Sequence, residues 1–232
     1  MANKTVGYAL GWLKKRSSKA TLDGYARYAI PSEDALGVRM ADIQKLGKEL
    51  GPDHALALEL WKTGVYEARM LCAYVDDPAK VTAAQMDKQA RDFDNWAICD
   101  TLCFALWVRT PHALAKIRKW ATSREEYVKR ASFALLASVA LKKKDVSEKD
   151  LARCLPLIEK AATDERNFVK KGVNWALRGV GERSVALNEA AVALAKKLAA
   201  SKDPAPRWIG KDALRQLATP AARKRIARRS GD

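Results

Sequence analysis

The chain contains no run of 18 apolar residues, so nothing in it reads as a membrane-spanning helix. Its opening residues, Met1-Ala2-Asn3-Lys4-Thr5-Val6-Gly7-Tyr8, lack the apolar stretch of a signal peptide. Cysteine is sparse: Cys72, Cys99, Cys103 and Cys154 form no Cys-x-x-Cys pair, and the two histidines, His54 and His112, stand apart. That excludes the usual zinc and iron–sulfur ligand spacings, and no metal or cofactor is expected. The thiols read as buried and reduced, as in a cytoplasmic protein. Alternation at period two is missing, which argues against strands. Acid is also short, with 27 Asp and Glu against 43 Lys and Arg, a formal net charge of +16. Such an excess speaks to partners and not to fold. Nucleic acid is the first candidate and an anionic membrane surface the second.

What is present is helical. The 232 residues are 48% hydrophobic and include seven tryptophans, too apolar for disorder. Apolar residues recur at three and four, predicting helices over 4–15, 20–29, 40–50, 53–63, 66–76, 82–91, 95–107, 111–121, 125–141, 148–162, 167–179, 185–200, 206–218 and 220–229. Thr82 with Gln85, and Ser123 with Glu126, have capping-box spacing. Pro52, Pro111 and Pro206 fall in or near first turns, and Gly51, Gly64 and Gly181 near helix ends. Residues 1–232 read as one domain, with 219–232 a basic C-terminal helix or tail.

A repeat runs through the C-terminal half. Tyr127-Val128-Lys129-Arg130 is echoed by Phe168-Val169-Lys170-Lys171 and again by Trp208-Ile209-Gly210-Lys211. The spacing of roughly 40 residues is that of HEAT and armadillo arrays, whose helical hairpins stack to bury faces that none can bury alone. The expected fold is therefore all-α, a superhelical array of HEAT-like repeats (an α-solenoid) with a concave basic groove. Arg130, Lys171 and Lys211 take the same position in successive units. One reading makes them a track for a phosphate backbone; the other makes them a solvated face. Lys129, Lys170 and Arg178 could point to the groove or to water. The basic run Arg223 to Arg229 could clamp DNA or cap the array.

Asp100 is the only charged residue between Trp96 and Trp107. A helix this apolar should be buried, and a carboxylate is seldom buried without a partner. On a helix, Trp96, Asp100, Cys103 and Trp107 share one stripe, while Ile98, Leu102 and Leu106 share another that faces the core. Asp92 and Asp94 precede this helix and suit its N-terminal dipole. Three readings of Asp100 stand: a structural ion pair, a metal ligand without a visible second ligand cluster, and a catalytic carboxylate in a basic, aromatic-lined groove. Trp12, Trp61, Trp107 and Trp120 read as packing residues, and His54 and His112 as surface or capping residues.

The segments Asn95-Trp96-Ala97-Ile98-Cys99-Asp100, Val128-Lys129-Arg130-Ala131 and Phe168 to Arg178 resemble the AlkD-type DNA alkylation repair family of HEAT-like-repeat DNA glycosylases. Tyr25-Ala26-Arg27-Tyr28 resembles an N-terminal helix of that family, and the likeness runs in order from about Tyr25 to Leu217. The resemblance implies a concave DNA-binding surface and excision of alkylated purines from double-stranded DNA without a deep base-flipping pocket. It carries the family's working residues onto Asp100, Trp96, Arg130, Trp175 and Tyr28. Lys129, Lys170, Lys171, Lys211 and Arg178 are the accompanying DNA-binding candidates. Many relatives have an acid directly after the motif Trp, where this chain has Ala97. The expected protein is a cytoplasmic, bacterial-type monomer, nucleoid-associated through DNA. The chemistry fits one carboxylate: a purine alkylated at N7 or N3 is already cationic and leaves as a neutral base without a proton. The alternative is a HEAT-like module that binds DNA or RNA without catalysis.

Overall fold

In the computed structural model, which describes residues 4–230, helices follow one another throughout and no described residue lies in a strand. The chain gathers into two compact units, Met1–Pro111 and His112–Asp232.

The first unit holds α1 (Val6–Lys14), α2 (Lys19–Tyr25), α3 (Met40–Leu50), α4 (His54–Lys62), α5 (Tyr66–Val75), α6 (Ala83–Arg91) and α7 (Trp96–Thr101). Short polar side chains start several of them by taking an otherwise orphaned N–H. Asp53 accepts from Leu56 N at 3.0 Å ahead of α4, and Thr82 accepts from Gln85 N at 3.1 Å ahead of α6. The second half of the expected Thr82–Gln85 capping box does not form. The Gln85 amide instead donates to Asp76 at 2.8 Å, and Asp76 also meets His54 Nδ1 at 2.6 Å. His54 is thus part of the seam between α4, α5 and α6. Burial raises the Asp76 pKa, while the bonds to His54 and Gln85 oppose that rise. Helix α5 is apolar nearly all round and packs against α3, α4 and α7.

The second unit holds α8 (Ala113–Trp120), α9 (Glu126–Lys142), α10 (Glu148–Ala152), α11 (Leu155–Ala161), α12 (Asn167–Gly181), α13 (Val185–Ala199), α14 (Pro204–Leu217) and α15 (Pro220–Ser230). The three echoed segments lie near the starts of α9, α12 and α14. Those helices stack in order, each paired with its preceding helix as a hairpin. The repeat seen in the residues is therefore a repeat in space.

Two local expectations fail here. The stretch 148–162 is two helices, broken at Arg153 and Cys154, because Pro156 has no N–H to continue the ladder and is accommodated in the first turn of α11. Ser123 does not cap α9. Its hydroxyl accepts from Glu125 N at 3.2 Å, and Glu125, extended and without a capping side chain, precedes the helix. At the other end of α9 the Arg183 guanidinium donates to the carbonyls of Ala140, Lys144 and Val146 at 3.2, 2.8 and 3.1 Å, closing the helix C-terminus.

Gly210 stands where the two earlier repeats carry Lys129 and Lys170. A Cβ on it would run into the backbone of Ala195 and Ala199, so α13 and α14 approach at glycine distance. Backbone atoms cannot swing aside as a side-chain tip can. Gly210→Ala should cost about 3 kcal/mol, read as a lower urea midpoint with an unchanged slope. The basic end of the chain is a packed helix: Ala222 and Ile226 are buried, α15 lies on α13 and α14, and Arg225 and Arg229 pair with Glu182 at 3.3 and 3.6 Å.

Candidate active site

Asn95 sets the position of α7. Its side-chain oxygen accepts from Ala97 N and Ile98 N at 2.9 and 3.0 Å, satisfying two N–H groups of the first turn. Asp92, expected to favour this terminus, is taken up by the Trp61 indole N–H at 2.8 Å. Under the helix lies an aromatic cluster in which Phe93 meets both Trp61 and Trp107, with ring centroids 6.2 and 5.5 Å apart. Ile98, Leu102 and Leu106 are all buried, the core stripe the periodicity predicts.

The other stripe differs from expectation. Trp96 and Asp100 are half-buried, but Cys103 and Trp107 are fully buried. The cause is a π-helical turn over Leu102–Leu106 followed by a 3₁₀ turn over Trp107–Arg109. The wider turn inserts part of a residue into the helical register. Cys103 and Trp107 rotate inward, and half-buried Phe104 takes the place one turn beyond Asp100. Asp100 is therefore flanked along the helix by Trp96 and Phe104. Phe104 escaped the sequence reading, although its four-residue spacing from Asp100 was visible.

The Trp96 indole N–H donates to the Tyr28 carbonyl at 2.7 Å, joining α7 to the N-terminal helices. Tyr28 closes the 3₁₀ turn Ala26–Tyr28, and its side chain is largely exposed. The next residue, Ala29, has φ 52°, the only non-glycine residue with left-handed backbone among those described. An alanine held there costs about 1 kcal/mol and needs a reason. The conformation closes the helix end, with Ile30 N–H donating to the Tyr25 carbonyl at 3.1 Å, and the Tyr28 carbonyl is left to the indole. That bond fixes the orientation of the indole. Trp12, expected to pack inside, is half-exposed and carries the Arg16 guanidinium 3.4 Å above its ring.

The remaining site candidates belong to the second unit, where the row of cations is uneven. Arg130 is buried and donates to the Phe168 carbonyl at 2.6 Å, a link to the next repeat. Lys171 and Lys211, its counterparts, are exposed and form no ion pair among the described residues. Lys129 pairs with Asp164 at 2.8 Å, and Arg166 closes on the same carboxylate at 2.6 Å. Arg166 and then Lys129 hold the Asp164 pKa far below the usual carboxylate range against the opposing effect of burial. Arg178 donates to Gln216 at 2.7 Å beside Asp212. The half-buried Trp175 follows buried Asn174, whose amide donates to Asp212 at 2.7 Å. Lys170 is half-buried, its ammonium 5.3 Å from the Trp208 ring centre. Among the described residues no group of three or more His, Cys, Asp or Glu could hold a metal ion, and no helix is long and apolar enough to cross a membrane.

A family model described as DNA alkylation repair enzyme matches residues 11–217. The chain belongs to that family. The match spans both compact units of this DNA alkylation repair family member, Asp100 and the echoed helices included. It is also similar to a solved structure from a family of proteins related to the HEAT-like repeat DNA glycosylases, with affinity for branched DNA structures. The TM-score is 0.77 at 21% identity, covering 92% of this chain and 95% of that one. At that identity the likeness carries the fold, which is the all-α HEAT-like-repeat solenoid class read from the repeat. No curated protein matches the chain.

Proposed function

We propose that this DNA alkylation repair family member is an alkylpurine DNA glycosylase that hydrolyses the N-glycosidic bond of N7-alkylguanine and N3-alkyladenine in double-stranded DNA. The observation that carries the reading is Asp100: an acid on the half-exposed stripe of an otherwise apolar helix, in a chain of net charge +16. A carboxylate between Trp96 and Phe104 would repel phosphate, whereas it would attract a sugar cation.

The chemistry follows from the lesion. As the C1′–N bond breaks, its electron pair moves to the cationic purine, which leaves neutral, and positive charge grows on the deoxyribose. Asp100 stabilises that charge and accepts the proton of the water that forms the new C1′–O bond. Sugar hydrolases whose leaving group would otherwise depart as an anion use a second carboxyl as acid; a cationic base removes that need. Trp96, its N–H held by Tyr28, presents its face to the sugar cation, an attraction of about 0.5–2 kcal/mol when desolvated. Lys171 and Lys211 supply charge for phosphate, Trp175 an aromatic surface for the backbone, and Arg130 a fixed cation joining two repeats. No cofactor enters the reaction, and one copy of the chain suffices.

Duplex DNA carrying N7-methylguanine, incubated with the full chain, should release the free base, whereas the same duplex with uracil should release none. Release of uracil would sink the mechanism, since a neutral base needs the proton this site does not provide. A second reading, binding of branched DNA without excision, draws on the affinity described for the similar solved structure. Tight binding with no release of either base would favour it.

A further inference from the structure

The three echoed segments place an aromatic ring at one position of successive repeats: Tyr127, Phe168 and Trp208. The first two meet each other, with centroids 5.7 Å apart, and are half-buried. The third does not follow suit. Trp208 is 39% exposed, and its one polar or ring contact among the described residues is the Lys170 ammonium. It lies in a cleft of about 490 Å³ lined by Glu165, Lys170, Pro204, Ala205, Arg207 and Lys211. That volume is in the range of about 300–1,000 Å³ seen for small-ligand sites.

We propose that this cleft binds one unpaired nucleotide of a single-stranded DNA arm, its base stacked on Trp208. The chemistry of the lining selects that ligand. A large exposed indole is a platform for any flat base, and stacking on such a platform is sequence-tolerant. Lys211 and Lys170 have no carboxylate within ion-pair distance among the described residues, so their charge is available to phosphate. Arg207, whose guanidinium donates to the Lys202 carbonyl at 3.2 Å and forms no ion pair among the described residues, adds a third cation. The N-terminus of α14 adds little, because Pro204 and Pro206 remove two of its free N–H groups. Anion binding here must come from side chains. Glu165, exposed and without an ion-pair or hydrogen-bond partner among the described residues, would repel a phosphate at the same spot. It suits a base edge with an amino group, cytosine above all, to which a carboxylate is a matched acceptor.

The inference rests on the DNA-binding part of the proposed function and not on base excision. Its test compares the full chain on a blunt duplex and on the same duplex with a short cytosine overhang, by fluorescence anisotropy at fixed salt. Trp208→Ala should lower affinity for the overhang DNA about tenfold and leave the blunt duplex within twofold. Trp208→Phe should retain most of the overhang affinity, and Glu165→Gln should narrow the difference between cytosine and thymine arms. Equal loss on both DNAs, or no loss on either, overturns the proposal. Unchanged blunt-duplex binding shows that the variant is folded. Loss of N7-methylguanine release, or its absence from the outset, does not bear on this comparison, so the two readings fail separately.

Discussion

Asp100→Asn should lower N7-methylguanine release by roughly 100- to 1,000-fold, the loss of about 3–4 kcal/mol of transition-state stabilisation typical when one preorganised electrostatic partner is removed. Asparagine keeps the shape of the side chain and its position between Trp96 and Phe104. It cannot hold a full negative charge against the sugar cation, nor take a proton from water. The fold should survive, because the start of α7 depends on the Asn95 cap and its inner stripe on Ile98, Leu102 and Leu106. DNA affinity should hold or rise slightly, since a carboxylate that repels phosphate has been removed. Single-turnover release and anisotropy on the same protein separate these effects. Release equal to that of the unaltered chain would make Asp100 a structural acid and end the catalytic reading.

How much of this was legible depends on distance along the chain. Helix starts governed by neighbours could be read directly: residues 40–50 form α3, and Thr82 caps α6. The repeat was legible because Tyr127, Phe168 and Trp208 bring similar companions with them. What could not be read is what depends on a partner far away. The π turn after Asp100 accompanies the packing of buried Trp107 on Phe93, and a 3.6-residue stripe drawn through Cys103 misses that shift. Arg130 reads as equivalent to Lys171 and Lys211, yet its guanidinium is drawn inward by the Phe168 carbonyl of the next repeat. The bond from Trp96 to Tyr28 spans 68 residues, and no local pattern announces it. The candidate site therefore shows its chemistry in the sequence and its geometry only in the fold.

The same holds for Glu67, whose importance no spacing reveals. It is the second residue of α5 and wholly buried. Its carboxylate accepts from Leu36 N, Gly37 N and Val38 N at 2.8, 2.7 and 3.1 Å and from the Tyr25 hydroxyl at 3.1 Å. Burial, followed by the nearby Glu67 charge, pushes the Tyr25 phenol pKa well up, so that it remains a donor. The segment from Ala29 to Arg39 has no helix to satisfy its N–H groups, and for Leu36, Gly37 and Val38 one side chain does so in its place. Gly37, at φ 76°, lets the chain turn so that consecutive N–H groups converge on one carboxylate.

Glu67→Ala would leave three backbone donors facing a cavity, while the Tyr25 hydroxyl keeps the Val38 carbonyl at 3.2 Å. Each stranded group costs about 1–3 kcal/mol, but relaxation and water recover part of it. A loss of about 4 kcal/mol is expected, a large fraction of the roughly 5–15 kcal/mol that holds a domain folded. Urea unfolding should show it as a lower midpoint, and a change below about 1 kcal/mol would mean that the loop finds other partners. The consequence reaches the candidate site, since this loop begins directly after Tyr28, whose carbonyl holds Trp96. Glu67→Gln, which keeps one acceptor oxygen, should be milder in stability. Even where fully folded it should release N7-methylguanine more slowly than the unaltered chain, because a loosened loop no longer fixes the indole beside Asp100.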